Sequence, residues 1–169
     1  MKMAFNLIDK LIKNPTKMNL MALDKVLALG IPFNAPHGFK FKELSDDAIR
    51  ITLPNRKLNH NHLGGVHACA MATVGEFCAG MSLLKHFGIS KYRLILSEMH
   101  VKYTYQGRTN LVGSCLVDQV NKTEVLSALE TEGKYQQTLK TIIHDSSEKE
   151  VAVVTTTWQL KSWDKVQTK

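Results

Sequence analysis

The segment "NHNHLGGVHACAMATVGEFCAG", residues 59–80, holds the side chains that could do acid–base chemistry at one place. Three histidines lie at its front, and an apolar run of small residues follows in which Glu76 is the only charge. A buried carboxylate is costly unless it is paired, neutral or used in chemistry. Glu76 is therefore a candidate for acid–base chemistry together with His67, and a structural pairing with a buried Arg, Lys or Tyr is the alternative.

Metal binding is a second chemistry that the histidines His60, His62 and His67 suggest. Their spacing, H-x-H-x4-H, differs from the H-E-x-x-H and paired-cysteine patterns of zinc sites, and no nearby carboxylate completes a facial triad. The three cysteines are an odd number and form no C-x-x-C pair. We therefore expect no metal, no cofactor and no disulfide.

The separation of His67 and Glu76 decides whether they can act together. They are nine residues apart, which in one continuous helix means about 13.5 Å along the axis and about half a turn of offset. They could not meet within one helix. Either His67 lies in the loop before the helix, or two copies of the chain contribute to one site, as a two-fold dimer allows.

The elements that position these residues follow from hydrophobic periodicity. The run from Ala68 to Phe87 predicts a helix that is apolar nearly all round and ends at Gly88. Residues 5–29 predict two helices that are broken at Asn14 and Pro15. Strands are predicted over 39–53, as a hairpin that turns at residues 45–47, and over 91–105, 109–117, 135–144 and 151–160. A short helix follows Asn121. The sequence thus predicts an α+β fold with one central helix and a run of antiparallel strands.

Composition narrows the class of partner. With 169 residues the chain fits one domain, and its net charge of +7 allows an anionic partner. The basic residues are spread along the chain, and signatures of RNA-binding motifs are missing, so we expect no nucleic acid. No uncharged apolar segment reaches about 18 residues, and charges interrupt the first apolar run too early for a signal peptide. We expect a cytoplasmic protein that does not bind membranes.

The spacing of Asn61, Gly64, His67 and Glu76 resembles that of the hotdog-fold acyl-CoA thioesterases. The resemblance is to the group related to phenylacetyl-CoA thioesterases and to a neighbouring hotdog family of unassigned function. Their pattern is an Asn, a Gly three residues on, a His three after that and an acidic residue nine beyond the His. All four positions are in register here, and the order of the predicted elements agrees over residues 39–160.

The resemblance implies a hotdog fold, in which an antiparallel sheet wraps around a long central helix. Here that fold would carry extra N-terminal helices. We expect a single domain over residues 1–169, with an N-terminal helical extension at 1–30 and a hotdog core at 39–162. The implied substrate is an acyl-CoA, and the implied assembly is a homodimer or a dimer of dimers.

The resemblance also implies roles for individual residues. Glu76 would act as general base on a water, or as nucleophile, toward the thioester carbonyl. The backbone N–H groups of Ala68 and Cys69 would form an oxyanion site. Asn61 and His67 would position the thioester or the water from the opposite subunit.

Two further residues, Gly64 and Arg108, are expected to contact the substrate. Arg108 is the first candidate for a coenzyme A phosphate because it lies in the turn after "VKYTYQG". One departure concerns the site itself, since Ala68 and Cys69 stand where the family usually has two glycines. Both keep an N–H donor, but their side chains would crowd the acyl group. This departure favours an alternative function, a non-catalytic hotdog protein that binds acyl-CoA or a fatty acyl group.

Overall fold

The computed structural model describes residues 2–165, and it consists of one antiparallel sheet, a long helix against that sheet and three further helices. The helices are α1 (Lys2–Lys13), α2 (Lys17–Gly30), α3 (Ala68–Phe87) and α4 (Lys122–Thr131). The strands are β1 (Lys40–Leu44), β2 (Ala48–Leu53), β3 (Tyr92–Tyr103), β4 (Leu111–Leu116), β5 (Lys134–His144) and β6 (Glu150–Ser162). Their order in the sheet is β1-β2-β4-β5-β6-β3. The predicted α+β architecture is confirmed.

The helix α3 is the centre of the core, as its apolar sequence predicts. Its 20 residues contact all of β2 to β6. Two hydrogen bonds fix it to the middle strands. The Thr141 hydroxyl donates to the Gly75 carbonyl at 3.0 Å, and the Cys78 thiol donates to the Gly113 carbonyl at 3.3 Å. Within the described residues no helix is both long and apolar enough to cross a membrane.

The two N-terminal helices are tied to this core by carboxylates. On α1, Asp9 accepts hydrogen bonds from the backbone N–H of Ile89 at 2.9 Å and of Ser90 at 3.2 Å, just after α3 ends. On α2, Asp24 accepts from the backbone N–H of Phe41 at 3.0 Å, on the outermost strand β1. Charge-assisted bonds to backbone N–H groups are stronger than neutral ones. The helical extension is therefore anchored to the core at two places, the residues just after α3 and the strand β1.

The strand β3 is an edge strand, because it pairs with β6 on one side and ends the sheet on the other. Its backbone groups on the free edge are available to another strand. Three large side chains of this strand are well exposed, at 47% for Ile95, 45% for Met99 and 44% for Tyr103. Polar side chains of the same strand, Glu98, His100 and Lys102, are exposed as well, so the free edge presents both apolar and charged groups.

Replacing Gly75 by Ala tests how closely α3 packs on the sheet. A Cβ at this position would lie 2.4 Å from Cγ2 of Val154. We expect Gly75→Ala to lower the free energy of unfolding by about 2–3 kcal/mol, although Ala is the better helix former. In urea denaturation, Gly30→Ala is the matched control, since no atom lies within 4 Å of its new Cβ. Adding Val154→Ala should recover part of the loss, and purely additive effects would contradict the clash.

Candidate active site

The start of α3 is closed by the side chain of His67, which is the N-cap residue. Its Nδ1 accepts a hydrogen bond from the backbone N–H of Cys69 at 3.0 Å. The His67 backbone N–H donates in turn to the carbonyl of Asn59 at 2.7 Å. The imidazole therefore occupies the Cys69 N–H, one of the two N–H groups for which the family resemblance implies an oxyanion role. At Ala68, the other one, no described residue accepts from the N–H.

The loop before α3 is shaped by Asn61. Its Oδ1 accepts from the backbone N–H of Leu63 at 2.9 Å and of Gly65 at 3.2 Å. The turn passes through Gly64, whose φ of 74° lies in the left-handed region that favours glycine. The Asn61 side-chain oxygen thus holds the loop, and its side-chain nitrogen makes no hydrogen bond with a described residue.

A second loop carries Arg108 to the same side of α3. The Val66 backbone N–H donates to the Gly107 carbonyl at 2.8 Å, which joins the two loops. The exposed Arg108 guanidinium donates to Oε1 of Gln106 through Nε at 3.0 Å and Nη2 at 2.9 Å. A Cβ on Gly65 would lie 2.8 Å from the Gln106 amide nitrogen. The structure therefore places Arg108 on the loop beside the one that holds Asn61 and Gly64.

Glu76 lies apart from this group, farther along α3. It is nine residues beyond His67, so the helical rise separates them by about 13.5 Å along the axis. Its half-buried carboxyl makes no hydrogen bond and no ion pair with any described residue, so a structural pairing with Arg, Lys or Tyr is not found there. Desolvation by burial raises its pKa from the ordinary 4.5 to about 7.

The space in front of Glu76 is an apolar cavity of about 750 Å³. Residues of α1, α2, α3 and β3 line it, together with Trp158 of β6 and Trp163. Along α3 the lining begins at Glu76 and continues through Phe77 and Met81 to Leu84. Glu76 therefore lies at the end of the α3 lining nearest the start of that helix, half-buried against apolar side chains.

No described side chains form a metal site. Among residues 2–165, no three His, Cys, Asp or Glu side chains lie together in a way that could hold an ion. Nε2 of His60 bonds to Oδ1 of Asn55 at 2.6 Å, which engages it in the loop. The histidines near Glu76 in sequence thus serve as a cap, a loop contact and, in His62, an exposed side chain.

Two residues that the sequence reasoning missed support the start of α3. Asn59 is 1% exposed, and its amide donates to the carbonyls of His37 and Pro54, both at 2.9 Å. The Tyr103 hydroxyl, on the edge strand β3, donates to the carbonyl of Ala68 at 2.9 Å. The spacing to Gly64 and His67 selects Asn61 and gives no signal for Asn59, and the Tyr103 contact joins elements 35 residues apart in sequence.

The sheet wrapped around α3 is the hotdog fold, and solved structures of that fold match this chain. A Pseudomonas aeruginosa protein of unknown function, described as a "probable thioesterase", is 22% identical with a TM-score of 0.75, over 84% of this chain and 95% of its own. A second P. aeruginosa protein, a mutant thioesterase, is 12% identical with a TM-score of 0.70, over 85% and 94%. A Haemophilus influenzae thioesterase is 12% identical with a TM-score of 0.66, over 85% and 90%.

The family assignment rests on a sequence match that is separate from these structures. Residues 21–160 match the family described as a domain of unknown function, DUF4442. The match covers most of the chain, so this protein belongs to that family. No curated protein matches the chain.

Burial of Glu76 has a consequence for stability. The folded chain keeps a proton on this carboxyl up to about pH 7, whereas an unfolded chain loses it near pH 4.5. Stability should therefore fall as the pH rises between these values. In urea denaturation at pH 8, we expect the free energy of unfolding of Glu76→Gln to exceed that of wild type by about 3 kcal/mol. At pH 4 we expect the two proteins to have the same free energy of unfolding. The control is Glu130→Gln, an exposed glutamate of α4 that should leave the pH dependence intact. Identical curves for Glu76→Gln and wild type would contradict the raised pKa.

Proposed function

We propose that this protein hydrolyses an acyl-CoA thioester with Glu76 as general base. The observation that carries the proposal is the unpartnered, half-buried carboxyl at the end of an apolar cavity. Its pKa of about 7 suits a base that works near neutral pH, since a large fraction of the carboxyl is ionised there and still accepts a proton readily. The fold is one that proteins named as thioesterases share.

The reaction can be written with this chain's groups. Glu76 removes a proton from a water molecule while the water oxygen attacks the carbonyl carbon of the thioester. The oxyanion that forms lies at the Ala68 N–H, where the α3 dipole also favours negative charge. The carbon–sulfur bond then breaks, and the leaving thiolate takes the proton from Glu76. The products are a carboxylic acid and a free thiol, and attack by the Glu76 carboxylate itself is the nucleophilic variant of the same step.

The distance along α3 supports a site shared by two chains. The Ala68 N–H and Glu76 of one chain are too far apart for one thioester carbonyl, because eight residues of helix separate them by about 12 Å. Pairing of two β3 edges about a two-fold axis would continue the sheet and bring two α3 helices side by side. Tyr103 would couple this interface to the site, because it bonds the edge strand to the first residue of α3.

Coenzyme A recognition is assigned to the loops at the start of α3. Arg108 is exposed and is oriented by Gln106, so a phosphate could reach it without desolvating a buried charge. The excess of basic residues in the whole chain favours an anionic substrate in the same sense. Asn61 and His67 would contact the thioester from the subunit opposite Glu76.

A non-catalytic acyl-CoA or fatty acyl binding protein is the second candidate. The observation that favours it is the His67 side chain, which occupies the Cys69 N–H. Together with the side chains of Ala68 and Cys69, this leaves fewer donors and less room for a tetrahedral intermediate than a pair of glycines would. Saturable binding of acyl-CoA without turnover would identify this function.

The catalytic role of Glu76 is tested by its pH profile and by substitution. We expect Glu76→Gln to lower kcat/KM for acyl-CoA hydrolysis by about 10²–10⁴-fold, as for loss of a general base. In wild type, kcat/KM should fall about tenfold per pH unit below pH 7 and level off above it. Glu130→Gln is the matched control for the substitution. Wild-type rates retained in Glu76→Gln would reject the role.

The shared site is tested by mixing two inactive variants. If His67 of one chain serves Glu76 of the other, a hybrid of His67→Ala and Glu76→Gln chains contains one intact site. After subunit exchange, an equal mixture should recover about a quarter of the wild-type activity, since half of the dimers are hybrids with one intact site of two. Each variant alone is the control. A mixture that stays inactive, although native mass spectrometry shows hybrid dimers, would place both residues in one chain.

A further inference from the structure

The cavity in front of Glu76 is built by the N-terminal helices as well as by the hotdog core. Phe5 and Ile8 of α1 and Val26 and Leu27 of α2 form the wall that faces α3. The helix α1 lies wholly outside residues 21–160, the part of the chain that matches the family. The α1 half of this wall is therefore added to the core by a segment beyond the family match, whereas Val26 and Leu27 lie within it.

The wall is held in place by contacts that do not depend on a ligand. The ring of Phe5 stacks on Trp163 with 6.1 Å between the ring centres. Trp163 is fixed in turn, since its indole N–H donates to the Ile89 carbonyl at 2.9 Å. The Asp9 carboxylate anchors α1 to the same segment, because it accepts hydrogen bonds from the backbone N–H groups of Ile89 and Ser90. The cavity thus persists as a space between anchored elements.

The volume of the cavity decides what kind of acyl group fits. A cavity of about 150 Å³ is enough to hold benzene, and this one is about 750 Å³. A single aromatic ring would leave most of it unfilled. Apolar side chains dominate the lining from Phe77 to Leu84, and the carboxyl of Glu76 lies at one end. Apart from Glu76 and Arg93 the lining is mostly apolar, which matches the aliphatic tail of a long acyl thioester.

The indole ring of Trp158 closes the cavity beside Gly80. Trp158 is 6% exposed and lines the cavity, and its indole nitrogen has no hydrogen-bond partner among the described residues. Its ring lies against Gly80, where an added Cβ would come within 3.2 Å of it. Gly80 is one helical turn from Glu76. Trp158 therefore contributes apolar ring surface to the cavity one helical turn beyond Glu76.

We propose that α1 and α2 form the acyl-chain pocket of this protein and that its ligand is a long, unbranched aliphatic acyl thioester. The thioester lies at Glu76, and the tail runs along α3 toward Leu84 and Trp163. This inference deepens the proposed function and rests on it for the position of the thioester. A second copy of the chain is the competing occupant of the apolar surface.

The experiment measures binding separately from turnover. Calorimetric titrations of the full chain would use S-alkyl coenzyme A thioethers, which cannot be hydrolysed, with butyl, octyl, dodecyl and hexadecyl chains below their micelle-forming concentrations. Hydrolysis of the corresponding acyl-CoA thioesters would be followed in parallel. We expect affinity to rise with length by up to about fourfold for each methylene that enters the pocket.

Substitutions in the wall locate the tail. Val26→Trp fills the cavity from α2 and should weaken dodecyl binding by at least about tenfold relative to butyl binding, since several methylenes lose their place. Ala4→Trp tests the same wall from α1 at an exposed position, where a larger side chain does not disturb the core. Met21→Trp and Met3→Trp are the controls, because these residues are exposed on the same helices and lie outside the lining.

The outcomes separate this inference from the proposed function. Length-dependent binding without any hydrolysis would reject the catalytic proposal and keep the pocket. Hydrolysis that is indifferent to chain length, and equal in Val26→Trp and Met21→Trp, would keep the catalysis and overturn the pocket. Ultracentrifugation tests the competing occupant. A loss of dimer in Val26→Trp with unchanged thioether binding would show that a second copy of the chain covers the apolar wall of α1 and α2.

Discussion

The need to cover the apolar surface of α3 is the constraint on which the rest of this structure depends. A helix that is apolar nearly all round must be covered on every face. The sheet covers one face, and its close approach requires a glycine at position 75 because a Cβ there would strike Val154. The N-terminal helices cover part of the opposite face. Glu76 lies where this cover is incomplete, so the carboxyl is desolvated and yet reachable by a ligand.

Desolvation of Glu76 favours its reactivity as a base but lowers the stability of the folded chain. The shift that lets Glu76 act as a base near neutral pH is the same shift that destabilises the folded chain above that pH. A buried partner such as Arg would remove the penalty and lower the pKa, and no described side chain supplies one. Functional sites commonly carry this kind of local cost, which the remaining packing offsets. Here the anchors at Asp9 and Asp24 add stability at the helices that complete the pocket.

The local parts of this architecture could be predicted from sequence, because their signals are local. The bounds of α3 follow from an unbroken apolar run that stops at Gly88, and α4 follows from the cap at Asn121. The occupation of the Cys69 N–H by His67 could not be foreseen, since the spacing that suggested an oxyanion site equally fits an N-cap. The pocket left no periodic signal either. It arises from the packing of two helices at 2–30 against residues more than 40 positions away, and periodicity within each helix does not encode that contact.

The separation of the first turn of α3 from Glu76 favours a site formed by two chains over a site formed by one. That first turn faces the loops of Asn61 and Arg108, and Glu76, two turns later, faces the pocket beneath α1 and α2. Because α1 and α2 already occupy the pocket side, a second copy has its freest access at the β3 edge, where Ile95 and Met99 are exposed. Pairing of two β3 edges about a two-fold axis would set the two α3 helices side by side. In that arrangement the first turn of one α3 could lie near the middle of the other. The same placement that leaves His67 and Glu76 apart within a chain would bring them together between chains, with the acyl tail sheltered under the N-terminal helices of the chain that supplies the base.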